Sequence, residues 1–218
     1  MSVDLPGTEG VSLRVATTAR GDPSLLHPAE AACLSVHAVP ARQREFAAGR
    51  TAAAHALQAL GLRPAPVTSG SDRVPVWPFG VVGSISHSRS LAAAAVARRS
   101  DGFRSVGLDI EEAEALTEDL VEEICIDSER DWLTRHPREQ RGLLAKAIFS
   151  AKEAVYKCQY PLTRTMFGFD MIKIDFQMAN RRFSARFVED VEPFRCGTTI
   201  LGEVRVGAGH IVSLVILR

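Results

Sequence analysis

Two carboxylates on one predicted β-strand have the spacing that could hold a metal ion. In "RSVGLDIE" (104–111), Asp109 and Glu111 are two residues apart, so they lie on the same face of a strand. Carboxylates this close repel each other unless a cation lies between them. Mg²⁺ suits such a pair, because it prefers oxygen ligands and completes its coordination with water and phosphate. Taken alone, the pair is more often an ordinary solvated strand face.

The stretch "FSAKEAVYK" adds an acid and a base on one face of a predicted helix. Glu153 and Lys157 are four residues apart, which makes them neighbours on the helix surface. On their own they form an ion pair worth about 0.2–0.5 kcal/mol. The helix predicted over 139–159 also places Lys146 and Ser150 on this polar stripe. The stripe is either a solvated helix face or part of a site that it forms together with Asp109 and Glu111.

Two further stretches could bind an anionic ligand. In "GSISHS" (83–88), small residues let a ligand approach the backbone, and His87 could donate to a phosphate, although a lone histidine is more often structural. Arg42, Arg44 and Arg50 crowd the first half of a predicted helix, where the helix dipole disfavours positive charge. This placement suggests a bound anion, and a solvated polar face fits equally well.

The elements that must position these residues follow from apolar periodicity. The pattern predicts these elements in chain order: a strand at 11–20, a helix at 40–61, a Pro-rich loop at 61–80, strands at 81–88 and 104–111, helices at 116–133 and 139–159, and a C-terminal antiparallel meander that includes "KIDFQM" (173–178). The segment "LAAAAVARR" (91–99) is ambiguous. Its alanines favour a helix, whereas its shortness and the preceding turn favour a hairpin strand.

The composition indicates a globular protein without a strongly charged partner surface. Among 218 residues, 26 are Lys or Arg and 26 are Asp or Glu, so the formal net charge is zero, which argues against nucleic acid or a membrane as the main partner. No signal peptide is expected in "MSVDLPGTEG", and no apolar run approaches the roughly 20 residues of a membrane span. The four cysteines are Cys33, Cys125, Cys158 and Cys196. Their scatter predicts reduced thiols and a cytoplasmic protein.

Taken in order, the motifs "GSISHS", "VGLDIE" and "FSAKEAVYK" resemble those of the 4′-phosphopantetheinyl transferases of the surfactin-synthetase-activating type. The flanking stretches "RQREFAAGR", "VPVWPFGVVGSISHS" and "LLAKAIFSAKEAVYKCQYPLT" are similar to the enterobactin synthase component D subgroup. The resemblance runs from about Arg42 to Gly168. Three ordered motifs at family-like spacings are far more specific than any one of them.

The resemblance implies an activity and an architecture. Such enzymes transfer the 4′-phosphopantetheine group of coenzyme A to a serine of an apo acyl, peptidyl or aryl carrier protein, with Mg²⁺ or Mn²⁺, and release adenosine 3′,5′-bisphosphate. The implied fold is a pseudo-two-fold α/β (α+β) arrangement of two halves, each a long helix packed on a small antiparallel sheet. We expect an N-terminal half at 1–103, a C-terminal half at 104–218 and a monomer that acts on neither nucleic acid nor membranes.

The resemblance also implies a role for individual residues. The expected metal ligands are Asp109, Glu111 and Glu153. The expected catalytic residues are these three and Lys157, with Glu153 as the base for the carrier serine and Glu111, acting through water, as its competitor. The residues expected to bind coenzyme A are Arg42, Arg50, Arg73, Val74, Pro75, Ser86, His87, Asp109, Ile110, Glu153, Lys157 and Phe167.

Two further expectations concern the phosphates and the carrier. Lys152 is expected to face a phosphate. The acidic stretch after Glu111 argues against a basic docking patch for the carrier there. Carrier contact is therefore expected to use the apolar residues Leu116, Leu120 and Ile124.

Two other interpretations remain. A D-x-E strand followed by an E-x-x-x-K helix also occurs loosely in metal-dependent nucleases, although the neutral charge and the His/Ser motif argue against this. A non-catalytic module that binds coenzyme A or a carrier protein would lack the catalytic residues, whereas all four are present here. Plasmid cleavage or the absence of transfer would distinguish these alternatives.

Overall fold

The computed structural model of the chain describes residues 9–177 and 180–218. The segment 1–8, where no leader peptide is expected, and Met178, at the end of the predicted strand "KIDFQM", lie outside the described residues. None of the helices in the described part is both long and apolar enough to cross a membrane.

Among the described residues, two α-helices are long and three are short. The α-helices are α1 (Pro28–Ala31), α2 (Pro40–Ala59), α3 (Glu118–Ile124), α4 (Asp127–Thr134) and α5 (Arg138–Thr163). The prediction of one helix at 116–133 is wrong, because the backbone is extended at Cys125 and Ile126. The carboxylate of Glu129 accepts a hydrogen bond from the Ile126 amide at 3.0 Å and so begins a new helix there.

In the part of the chain that the structure describes, the strands form two main sheets and one small ribbon. They are β1 (Val11–Thr17), β2 (Thr68–Ser69), β3 (Pro75–Val76), β4 (Val81–His87), β5 (Leu91–Arg98), β6 (Ser105–Glu112), β7 (Ile172–Gln177), β8 (Arg182–Phe187), β9 (Thr199–Gly207) and β10 (His210–Leu217). The sheet orders are β1-β5-β4 and β6-β10-β9-β8-β7, with every pairing antiparallel, and β2 pairs with β3. The predicted α/β class and the C-terminal meander are confirmed.

The alanine-rich segment after Ser90 is the central strand β5, because both of its faces are covered. Ala94 and Val96 face the core cluster that contains α2, whereas Ala93 and Ala95 face the core cluster that contains residues of β6 and β10. Small side chains let layers on both sides approach closely. The sequence left this segment open because burial on two sides removes the alternation that normally marks a strand.

Helix α5 lies directly against β6, and Gly107 makes this approach possible. A Cβ atom at Gly107 would lie 1.9 Å from the carbonyl oxygen of Ala154 and 2.6 Å from Cys158 atoms. Close contact between the helix and the strand is therefore the structural reason for the glycine in "VGLDIE".

The two main sheets meet where β4 runs beside β6. The Ser86 hydroxyl accepts a hydrogen bond from the Ile110 amide at 3.4 Å, and the Ser84 hydroxyl donates to the Leu108 carbonyl at 3.5 Å. Side chains, rather than a backbone ladder, therefore link these two strands. The "GSISHS" strand consequently lies next to the acidic strand.

Candidate active site

The centre of the site is an ion pair between Asp109 and Lys157. The ammonium nitrogen of Lys157 lies 2.5 Å from Asp109 Oδ1 and donates to the Ser86 hydroxyl at 3.0 Å. Ser86 in turn donates to Asp109 Oδ1 at 2.9 Å. Strands β4 and β6 and helix α5 thus each contribute one side chain to a single buried cluster.

One face of α5 extends this cluster along the helix. Lys157 lies 3.8 Å from Glu153, one turn earlier, and Lys146 lies 2.6 Å from Glu111 of the facing strand. The face therefore alternates in charge opposite two carboxylates of β6. Ser150, assigned to the same stripe from the sequence, is fully buried and donates to the Ser213 hydroxyl at 2.9 Å, so it belongs to the core.

Burial and mutual repulsion shift the pKa values of these groups. Burial raises the pKa of Glu153, and the nearby carboxylates of Asp109 and Glu111 raise it further against the opposing effect of Lys157. The pKa of Glu111 is also raised, first by burial, while its hydrogen bond with Lys146 acts in the opposite direction. Burial alone would lower the pKa of Lys157, but Asp109 and Glu153 outweigh burial and the net shift is upward. The cluster therefore stabilises positive charge.

The donor set suits a hard divalent cation, although its carboxylates are now paired with lysines. Among residues 9–177 and 180–218, no three His, Cys, Asp or Glu side chains stand together as a ready metal cage. The second oxygen of Asp109, Oδ2, is nevertheless buried without a hydrogen-bond partner among the described residues. A buried carboxylate oxygen without a partner is costly and would be satisfied by a cation. Asp109, Glu111 and Glu153 thus fit Mg²⁺ or Mn²⁺ by their chemistry.

A basic cavity of about 540 Å³ opens beside this cluster in the N-terminal half. Arg42, Arg50, Arg73 and His87 line it, with Pro75 at one wall. Arg42 and Arg50 of α2 therefore face a shared space in which an anion could bind, whereas Arg44 does not line it.

Arg42 and His87 are held in place in this cavity by contacts with each other and with Glu45. Arg42 Nη1 lies 2.7 Å from His87 Nε2, and Glu45 lies 3.6 Å from Arg42. Burial lowers the pKa of His87, with Glu45 opposing and Arg42 reinforcing that shift. His87 is therefore favoured as the neutral imidazole.

Arg50 is anchored in the cavity wall but keeps bonding capacity. It stacks over the Phe46 ring, 4.1 Å from the ring centroid, and donates to the Ser69 hydroxyl at 2.9 Å. Its Nε is buried and has no partner among the described residues. An arginine with an unused donor is suited to a phosphate.

The remaining predicted residues lie at the margins of these two regions. Arg73 lines the cavity from a left-handed backbone position (φ 66°), whereas Val74 lies on an adjoining groove. The Ile110 side chain is buried in the core between the halves. Phe167 packs on Tyr156, with ring centroids 5.5 Å apart, and lines a small pocket of about 150 Å³ together with Glu153.

Two expectations from the sequence are wrong. The ammonium group of Lys152 does not face a phosphate, because it lies 2.7 Å from the Glu129 carboxylate with both side chains about 1% exposed. Ile124 is 5% exposed and packs in the core, so it offers no carrier-contact surface. Leu120 is 39% exposed and Leu116 is partly buried.

Sequence reasoning gave no function to three residues that shape the site. Glu45 could have been found, because it lies three residues after Arg42 on α2. Lys146 was placed on the stripe, but its partner Glu111 follows only from the packing of α5 against β6. Glu129 carries no local signal, since its partners Lys152 and Ile174 are distant in sequence.

Comparisons with known proteins identify relatives across nearly the whole chain. The family profile described as "4′-phosphopantetheinyl transferase N-terminal domain" matches residues 29–97, and that of the "4′-phosphopantetheinyl transferase superfamily" matches residues 105–209. The chain is 33% identical over 224 residues to the 4′-phosphopantetheinyl transferase PptT of Mycobacterium tuberculosis, covering 98% of this chain and 96% of PptT.

Two further relatives match over shorter lengths. The chain is 41% identical to the 4′-phosphopantetheinyl transferase Svp of Streptomyces mobaraensis, over 79% of this chain and 70% of Svp. It is 39% identical to the enterobactin synthase component D of Salmonella typhi, over 61% of this chain and 54% of that protein.

Proposed function

This chain belongs to the 4′-phosphopantetheinyl transferase superfamily, and we propose that it transfers the 4′-phosphopantetheine group of coenzyme A to a serine hydroxyl of apo carrier proteins. It is thus an enzyme of the holo-[acyl-carrier-protein] synthase type. Adenosine 3′,5′-bisphosphate would be the second product. Acyl, peptidyl and aryl carrier proteins are all proposed as acceptors.

One observation carries this proposal. The charged face of α5 lies against the acidic face of β6, and the basic cavity of the N-terminal half opens next to both. A ligand with phosphates at two positions, such as coenzyme A, could reach the cavity and the charged cluster together. A nuclease site would not require the basic cavity that Arg42, Arg50 and Arg73 line.

In this proposal the cavity binds the nucleotide end of coenzyme A. Arg42, Arg50 and His87 would contact the 3′-phosphate, because their donors surround one space. Neutral His87 can donate one N–H to a phosphate oxygen. Arg73 and Pro75 would line the adenosine.

Asp109, Glu111 and Glu153 would hold Mg²⁺ or Mn²⁺ in the loaded enzyme. When bound, such an ion supplies positive charge for the phosphoryl oxygens, the main catalytic requirement of phosphoryl transfer. The unpartnered Oδ2 of Asp109 supports this assignment.

Proton transfer is assigned to Glu153 and Lys157 of α5. Glu153 would take the proton of the carrier serine while the serine Oγ forms a bond to phosphorus. Burial raises the pKa of Glu153, which makes its carboxylate a stronger base. Lys157 would stabilise or protonate the phosphate oxygen that leaves when the pyrophosphate bond breaks. Phe167 would pack along the pantetheine arm.

The wider organisation is also a proposal. Separate sheets on either side of residue 103 support the division into halves at 1–103 and 104–218. Because each half supplies part of the proposed site, a monomer would be sufficient. A cytoplasmic location is proposed from the same expectation of reduced thiols.

Incubation with coenzyme A, Mg²⁺ and a panel of apo carrier proteins tests the proposal. Intact-mass spectrometry should detect a phosphopantetheine adduct on the carrier serine, and a Ser-to-Ala carrier serves as the matched control. If no carrier in the panel gains the adduct while the protein binds coenzyme A, the catalytic proposal fails in favour of a binding module.

A further inference from the structure

Lys146 belongs to the charged face of α5 but has no part in the proposed reaction. It lies seven residues before Glu153 and therefore on the same side of the helix. Its ammonium nitrogen lies 2.6 Å from Glu111 Oε2 and 4.8 Å from the Phe149 ring centroid. The contact with the aromatic face adds to the ion pair in keeping the ammonium group beside Glu111.

The Lys146–Glu111 contact is better shielded than an ordinary surface ion pair. The two side chains are 16% and 22% exposed, so water screens their attraction incompletely. Lys146 is therefore an internal counter-ion of a carboxylate that is a proposed metal ligand.

Two ammonium groups thus face three carboxylates in the cluster. Lys157 is paired with Asp109, and Lys146 is paired with Glu111. A divalent cation must compete with these ammonium groups for the carboxylate oxygens. A bound diphosphate would favour the divalent cation in this competition, because its negative charge attracts the cation.

We propose that Lys146 weakens divalent-cation binding in the free protein and so makes metal binding depend on coenzyme A. The inference rests on the proposed function, since it assumes the metal site of Asp109, Glu111 and Glu153. It makes Lys146 a positioning residue that acts through Glu111. The site would then bind its metal chiefly together with the diphosphate.

Mn²⁺ titrations followed by electron paramagnetic resonance test this directly, because free Mn²⁺ is measured without any turnover. In the absence of coenzyme A, Lys146→Met should bind Mn²⁺ about tenfold more tightly than the wild type, equivalent to ~1.4 kcal/mol. The gain in Mn²⁺ affinity on adding coenzyme A should become smaller by a similar factor. Lys146→Arg keeps the charge and should behave like the wild type.

Lys173→Met serves as the matched control. Lys173 pairs with Asp175 on β7, 3.0 Å away and apart from the cluster, so its loss should change neither Mn²⁺ titration. Unchanged or weaker Mn²⁺ binding by Lys146→Met would overturn the inference and leave the pair as a structural tie between α5 and β6.

The failure of the proposed function gives a different result. If the wild type binds no Mn²⁺ even with coenzyme A, the metal-dependent mechanism fails, and the inference fails with it. If the wild type binds Mn²⁺ and modifies carriers while Lys146→Met shows wild-type Mn²⁺ affinities, only the role of Lys146 is wrong. Thermal unfolding of each variant separates either result from a general loss of folding.

Discussion

Two of the lysine–carboxylate pairs on helix α5, Lys152–Glu129 and Lys157–Asp109, differ in how completely their bonds are satisfied. Lys152 Nζ has three partners: Glu129 at 2.7 Å, the Phe169 carbonyl at 2.8 Å and the Ile124 carbonyl at 2.9 Å. These contacts use all three donors of its ammonium group. Glu129 also accepts from the backbone amides of Ile174 and Ile126.

The Lys157–Asp109 pair, five residues further along the helix, is incompletely satisfied. One oxygen of Asp109 is buried without a partner among the described residues, and the Lys157 side chain is 27% exposed. A buried ion pair whose hydrogen-bonding groups all have partners fixes one arrangement of the chain. A buried ion pair with an unpartnered oxygen can still bind a ligand through that oxygen. Bonding completeness therefore distinguishes the Lys152–Glu129 pair from the pair proposed to act in the site, although both are lysine–carboxylate contacts.

Breaking the buried pair should give the largest effect. Lys152→Met leaves the Glu129 carboxylate buried without its counter-ion, which should reduce the free energy of unfolding by about 3–5 kcal/mol. Chemical denaturation monitored by circular dichroism measures this loss. The double variant Lys152→Met/Glu129→Leu should recover part of it, because it removes the unpaired buried charge but leaves the amides of Ile126 and Ile174 without their acceptor. Equal loss in both variants would contradict this account of the pair.

Asp109→Asn should have a large effect on activity and a small effect on stability. Loss of one charged group at the reaction centre should lower the transfer rate by about 10²–10³-fold. The rate is measured as carrier modification by intact-mass spectrometry, alongside thermal unfolding. Asp127→Asn is the control, because that side chain is 92% exposed on α4. Activity within a few-fold of the wild type would remove Asp109 from the site.

The sequence predicted that Asp109 and Lys157 come together but missed the Lys152–Glu129 pair, for a physical reason. Asp109, Glu153 and Lys157 lie within short motifs whose spacing on a strand or helix is regular. The partner of Lys152 is Glu129, which depends on how α4 packs against α5 and on the break at Ile126. No local periodicity encodes that packing, so the sequence assigned Lys152 to a phosphate.

The fold shows the same limit at a larger scale. The long helices and the meander were predictable, because one face of each packs on a core and the other does not. Strand β5 could not be assigned, since burial on both faces removes the periodic signal. The contact between Ser86 of β4 and the amide of Ile110 also depends on tertiary structure alone.

Gly107→Ala should lower stability by an intermediate amount and disturb the Lys157–Asp109 pair. The added Cβ would meet the Ala154 carbonyl at 1.9 Å, so α5 must move away from β6. Such overpacking should cost about 1–3 kcal/mol in the free energy of unfolding. Activity should fall as well, because Lys157 and Asp109 lie on the two elements that separate. Gly80→Ala provides a control for added volume in open space, although its positive φ of 79° adds strain of its own.

The smallest expected effect is that of His87 on the pH dependence of the free energy of unfolding. Burial lowers the pKa of His87 in the folded chain below the ordinary 6.5, so the unfolded chain takes up a proton first as the pH falls. The stability that neutral His87 contributes is present above pH 6.5 and is lost as the pH falls through the lowered pKa. Urea unfolding between neutral and mildly acidic pH should therefore show a shallower decline for His87→Gln than for the wild type. His55→Gln is the control, because His55 lies outside the basic cavity that His87 lines. Identical slopes for His87→Gln and the wild type would contradict the assignment of His87 as a neutral imidazole with a lowered pKa.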